Sequence, residues 1–521
     1  MKRAISLFLL SSLAASCGGG SALMELGREP VAAGPLGGEM VAQDDPAFNT
    51  ESYQHRQDNP EIAVADSPVS TFSIDVDTAS YANLRRFLED GALPPADAVR
   101  IEEMINYFDY RYPDPTDGPV GVVTEVGPSP FHDGRRLVHI GIQGRRPRGE
   151  RPPLNLVFLI DTSGSMSDAN KLPLVVEGLS LLAARLRSQD RVGIVVYAGS
   201  AGVVLEPTAD KEKVRAALGR LQSGGSTNGG QGIEAAYALA AVNLDPHGIN
   251  RVVLCSDGDF NVGVTDQGSL VRLIESKRET GIYLTVLGFG TGNLKDSTME
   301  ALAQYGNGNY GYVDSKAEAN KVLVDEMDGT MVTVANDVKV QIEFNPTAVE
   351  SYRLIGYENR LLADRDFEDD HKDAGELGAG HSVTAIYEVV PATAAAGQRG
   401  LKYQSGRALT QASKSGELAT VRLRYKLPGA QAGKELALAV ADRDLALAGT
   451  SDDFRFAAAA AAFGMLLRKS EAKGSVTWSS ARALAAGAAA GDRRRSDMLR
   501  LIDLAAGLAG ETTSAAAAVA R

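Results

Sequence analysis

Between Leu154 and Met327 the chain alternates short, nearly continuous apolar runs with longer stretches in which apolar residues return every three or four positions. The first pattern suits strands buried on both faces, and the second suits helices with one buried stripe. The strands read Leu154–Ile160, Val192–Tyr197, Val203–Leu205, Val252–Cys255 and Ile282–Leu287. The helices read Lys171–Arg187, Val214–Leu221, Gln231–Asn243, Leu270–Arg278, Thr298–Gln304 and Ala317–Met327. Buried strands separated by helices predict an α/β domain over residues 151–332, a doubly wound, mostly parallel, Rossmann-like sheet.

On either side of this block the period drops to two. Thr71–Val76, Val120–Val126 and Leu137–Gln143 precede it, and Val338–Phe344, Ser351–Ile355, Ser382–Val390 and Leu418–Lys426 follow it. Neither set has enough strands to bury a core alone, so the expectation is one antiparallel β-sandwich in which the α/β domain is inserted, or which flanks it. Thr78 is read as the cap of a helix to Glu89, and Pro94-Pro95-Ala96-Asp97 as opening a second through Phe108. Phe454–Leu467 and Ser479–Leu508 predict C-terminal helices. The division is an N-terminal α+β extension (67–150), the α/β domain, a C-terminal sandwich and helical region (333–510) and a tail (511–521).

The first residues follow another logic. Lys2 and Arg3 precede a mostly apolar run, Ala4–Leu13, too short to span a bilayer but suited to a signal-peptide core. Leu13-Ala14-Ala15-Ser16-Cys17 follows and resembles a bacterial lipoprotein signal, although Leu stands one position earlier than that pattern prefers. The resemblance implies removal of residues 1–16, a lipid on Cys17 and a cell-envelope location. Gly18, with no Asp after the Cys, implies the outer membrane where an organism has two. Residues 17–66, rich in Gly, Pro, Ala and Asp, read as a flexible tether. The net charge of −13, without a Lys/Arg-rich block, argues against a nucleic-acid partner. Cys255 would then have no disulfide partner and reads as a small buried hydrophobe.

The chemistry concentrates where strands end. The first apolar strand runs into Asp161-Thr162-Ser163-Gly164-Ser165, with Gly164 expected to permit a sharp turn. Three oxygen side chains at alternate positions in a loop at a strand's carboxyl end suit a hard cation such as Mg²⁺, Mn²⁺ or Ca²⁺ rather than zinc. The loop Gly224–Gly230 and the strand end Leu254-Cys255-Ser256-Asp257 point to the same edge. Asp161, Ser163, Ser165, Thr227 and Asp257, in this order and context, resemble the metal-ion-dependent adhesion site of the von Willebrand factor type A (VWA) domain. That resemblance implies a Mg²⁺ ion (Mn²⁺ or Ca²⁺ being alternatives) held by the serine hydroxyls directly, and by Thr227 and both aspartates directly or through water. It also implies a partner protein whose acidic residue completes the ion's shell. The segments Phe72–Tyr81, Arg100–Phe108, Gly224–Gly230, Asp257–Gly263 and His381–Glu388 further resemble a family of bacterial lipoproteins that carry this domain centrally.

Other signals are weaker. Asp259 could support the ion from behind, and Asp369-Asp370-His371 could bind a second one, although a solvated acidic loop is the simpler reading. Gly306–Gly311 has the spelling of a dinucleotide loop but leads into a strand. None of the six histidines lies beside the metal motif, and no catalytic residue is assigned. The expectation is a non-enzymatic, lipid-anchored envelope protein that binds a partner through metal. The alternatives are an assembly protein whose metal only stabilises the fold and, behind it, a metal-dependent hydrolase.

Overall fold

The computed structural model describes residues 50–513, apart from 75–76, 147–148, 199, 225–228, 259–266, 327–331 and 393–408. The signal segment, Cys17, Thr227, Asp259 and most of the tail lie outside the described residues.

Two strands and two helices open the chain: β1 (Ile62–Ala63), β2 (Val69–Ser73), α1 (Ala79–Glu89) and α2 (Ile101–Asn106), then β3 (Val120–Pro128) and β4 (Arg136–Gly144). The α/β segment follows with β5 (Leu154–Asp161), α3 (Leu172–Arg185), β6 (Arg191–Ala198), β7 (Ser200–Thr208), α4 (Lys211–Leu218), α5 (Gly229–Val242) and β8 (Ile249–Ser256). It continues with α6 (Gln267–Arg278), β9 (Tyr283–Phe289), α7 (Asp296–Tyr305), β10 (Tyr310–Val313) and α8 (Lys316–Asn320). Then come β11 (Thr333–Phe344), β12 (Val349–Ile355), β13 (Leu361–Leu362), β14 (Gly375–Gly378), β15 (Ser382–Pro391), β16 (Glu417–Lys426) and β17 (Lys434–Ala441). Three helices close the chain: α9 (Asp452–Arg468), α10 (Trp478–Ala486) and α11 (Arg493–Leu508).

The α/β sheet runs β10-β9-β8-β5-β6-β7, parallel except for β7. β5 lies at its centre, and every residue of it is buried. Its side chains divide by parity: Leu156, Phe158 and Ile160 pack with α3, whereas Val157 and Leu159 pack with α5. The chain proceeds outward from β5 to β6 and later returns to its other side at β8, so the strand order reverses at β5. Ligand crevices form at such reversals.

The insertion is real. β4, before the α/β segment, pairs with β15 after it, and β2 pairs with β11. The two sheets, β1-β12-β15-β4-β3 and β13-β2-β11-β16-β17, share one apolar core in which Phe344 stacks on Tyr352 with centroids 4.2 Å apart. α2 and the Ala-rich α9 cover the outer face of the first sheet, where Leu137 and Ile386 join their cluster.

The N-terminal elements are tied to the α/β segment by buried charge as well as by the packing of Ala79 and Ala82. Arg100 is 2% exposed and pairs with Glu103 and Asp296. Arg56 bonds Glu300 at 2.7 Å, and Arg85 bonds Asp314 at 2.6 Å and Glu318 at 2.8 Å. This corrects two expectations. The helix foreseen from Pro94 to Phe108 breaks at Val99 and Arg100, both extended, because the Arg100 N–H is held by the Ser80 hydroxyl and its guanidinium reaches Asp296. Residues 50–66 of the expected tether are ordered against the domain through Glu51–Arg86, Arg56–Glu300 and the β1–β12 pairing, contacts that leave no apolar period. Thr78 precedes α1 but makes no side-chain cap, and the Ser80 N–H is instead taken by the Glu103 carboxylate.

His139 on β4 is buried between the sheet and the helices, and that burial pushes its pKa down from 6.5 to about 4. Its neutral form therefore contributes stability that is complete above pH 6.5 and is lost as pH falls towards 4. Chemical unfolding followed from pH 7 to 4 is expected to lose up to about 3 kcal/mol through this residue, and His139→Gln to flatten the slope.

Candidate metal centre

Asp161 ends β5 with no exposed surface, and its Oδ1 accepts the Ser163 N–H at 2.8 Å. That bond curls the chain into a short 3₁₀ turn, Gly164–Ser167, which buried Met166 pins to the core below. The turn brings the Ser163 and Ser165 hydroxyls within 2.9 Å of each other. Gly164 is exposed, without positive φ and with nothing within 4 Å of a Cβ, so the turn does not require glycine there, contrary to expectation.

The next strand supplies the second acid. Asp257 follows β8, and the Ser256 hydroxyl beside it reaches Asp161 Oδ2 at 3.3 Å. Gly258 then turns at φ +98°, where a Cβ would fall 2.6 Å from the Lys295 backbone nitrogen. Four of the five sequence-derived residues, Asp161, Ser163, Ser165 and Asp257, thus gather at one edge. Thr227 lies outside the described residues, but Gly224, just before it, donates its N–H to the Thr162 carbonyl at 2.8 Å.

Burial pushes the Asp161 carboxyl up to about 6, against the pull of its bonds from Ser163, with the Asp257 charge adding to the rise. A dication beside it would offset that cost. Two carboxylates with hydroxyls form an oxygen-only donor set that fits a hard cation such as Mg²⁺.

Sequence reasoning missed Lys171. Its buried ammonium bonds Asp257 Oδ2 at 3.0 Å and the Ser165 carbonyl at 3.0 Å. The available signal was a lysine opening a helix directly behind the serine loop, a position read only as the start of a helix. Asn293, after β9, also reaches Asp257 Oδ2, at 3.4 Å.

Residues 156–259 match the model for the von Willebrand factor type A domain, 47–139 one described as von Willebrand factor, and 329–508 one described as "Uncharacterized protein YfbK, C-terminal". Over 472 residues, 88% of this chain and 82% of the relative, the sequence is 42% identical to "Uncharacterized protein YfbK" of Escherichia coli (strain K12). The chain belongs to the YfbK family. Its central domain is therefore a VWA domain, a class whose general role is protein–protein interaction, carried with a C-terminal extension. A UPF0353 protein of Mycobacterium ulcerans (strain Agy99) is 27% identical over 194 residues, 32% of this chain and 58% of that protein. Among solved structures, von Willebrand factor type A from Catenulispora acidiphila covers 75% of this chain and 91% of its own at 15% identity, with a TM-score of 0.40. BatB from Bacteroides thetaiotaomicron covers 32% and 94% at 22% identity, with a TM-score of 0.28.

Other sequence signals in this family member resolve differently. Asp370 is taken by Arg424 at 3.0 Å, so Asp369-Asp370-His371 does not gather as ligands. Among the described residues no group of three or more His, Cys, Asp or Glu is arranged to hold a metal. Gly306–Gly311 leads into β10, as its sequence implied. Cys255 is buried in β8.

Gly258→Ala is expected to destabilise the protein by about 1–3 kcal/mol in denaturant unfolding, since it combines positive φ with a backbone clash at this edge. An unchanged midpoint would refute that account.

Proposed function

We propose that this protein is a lipid-anchored envelope protein that binds Mg²⁺, with Mn²⁺ or Ca²⁺ as alternatives, at Asp161, Ser163, Ser165, Thr227 and Asp257. Through the ion it captures a partner protein by an acidic side chain. The observation that carries this reading is the convergence of Asp161, two hydroxyls 2.9 Å apart and Asp257 on the carboxyl ends of adjacent strands. The serines and Asp161 would hold the ion, with Thr227 and Asp257 directly or through water, and the ion would supply electrophilic attraction for a carboxylate. No residue is assigned a catalytic role. The family membership supports a protein-binding role in general terms.

A second reading has its own support. Asp161 is buried at an energetic cost, so an ion would also stabilise the fold, and stabilisation alone would suit an assembly protein.

Calorimetric titration with Mg²⁺ tests the site. Asp161→Ala is expected to weaken binding by at least about 100-fold. Retention of a partner in Mg²⁺ but not in EDTA, lost in the same variant, would favour capture. Retention in both would favour the stabilising role, and unchanged Mg²⁺ affinity would sink the site assignment.

The anchor rests on Cys17 and the apolar run before it. Cys17→Ser is expected to move the protein from the membrane fraction to the soluble fraction. Equal membrane retention of the variant would remove lipidation from the proposal.

A further inference from the structure

We propose that Lys171 is a resident counter-cation of the metal centre, which weakens the site's hold on a dication and leaves the bound ion under-neutralised for an anionic ligand. This rests on the metal-binding reading above. The lysine is built into the fold rather than draped over it. It is 3% exposed, and its ammonium donates to Asp257 Oδ2 and to the Ser165 carbonyl, both at 3.0 Å, with the exposed Asp168 carboxylate 3.7 Å away. Its stem crosses Gly290, which has φ +74° and would place a Cβ 2.3 Å from Lys171 Cγ. A positive φ and a missing side chain together keep that path open.

Asp161 and Asp257 bring two negative charges, which alone would balance a dication. With Lys171 bonded to Asp257, the buried centre carries one. A dication entering it is then left with a positive charge uncompensated and is repelled by the ammonium. Both effects raise its appetite for a carboxylate from outside while lowering its own affinity. Lys171 also neutralises Asp257 in the metal-free protein, beside the Asn293 amide, so its removal also costs stability there.

The two roles separate by titration of the full chain with Mn²⁺, read by the EPR signal of the free ion, on wild type, Lys171→Met, Lys171→Gln and Asp161→Ala. Both Lys171 variants are expected to bind Mn²⁺ about tenfold or more tightly than wild type, and Asp161→Ala to lose binding. Thermal melts give a second readout. In EDTA, Lys171→Met is expected to melt below wild type, and Mn²⁺ to raise its midpoint by more than it raises that of wild type. Equal or weaker Mn²⁺ binding by the folded Lys171 variants overturns the inference while leaving the metal site standing. Binding by the variants but not by wild type supports it in stronger form. Binding by none overturns both readings. Failure of both variants to fold even with Mn²⁺ present would make Lys171 a structural neutraliser only, which also overturns it.

Discussion

A strand paired on both sides and covered on both faces can present chemistry only at its ends. β5 is such a strand, flanked by parallel β6 and β8 and sandwiched between α3 and α5. Every other feature of the carboxylate-bearing edge depends on it. Its last residue, Asp161, is carried to the rim already desolvated, and Ser163 bonds back to it, which folds the serine loop. β8 must end alongside, because its register with β5 is set by the hydrogen-bonded ladder. Asp257 then stands at the same rim, its carboxylate held there by Lys171 and Asn293.

The same economy governs the rest of the chain. Strands separated by the whole α/β segment close a single sandwich, so neither flank is complete alone. The junction with the α/β segment is sealed by arginines inserted among carboxylates, Arg100, Arg85 and Arg56 above all. Removing one partner of such a pair strands a buried charge and costs about 3–5 kcal/mol. Geometry, more than net stabilisation, is what such pairs supply, and here they fix α7 and α8 against α1 and α2.

Periodicity revealed the α/β architecture because β5, β8 and β9 are buried on both faces and the helices between them are long. The acidic and hydroxyl residues of the site were legible for a related reason: strand ends tell where loops begin, and loops of one sheet edge share a neighbourhood. Polar order was not legible. Residues 50–66 look like a linker because what holds them is Glu51, Arg56 and Asn59 rather than an apolar stripe. β17 escaped notice because its Ala and Leu side chains are mostly exposed on an edge, where no alternation is imposed. Lys171 was hidden because sequence patterns treat lysine as a surface residue, whereas only the three-dimensional slot at Gly290 reveals its burial.

Thr50 donates its N–H to the Gly292 carbonyl, and Ser52 bridges to Lys295; Asn293, between them, touches Asp257. The described chain therefore starts at the very rim that carries the carboxylates, and residues 50–52 and Asp257 lean on one and the same loop, residues 292–295.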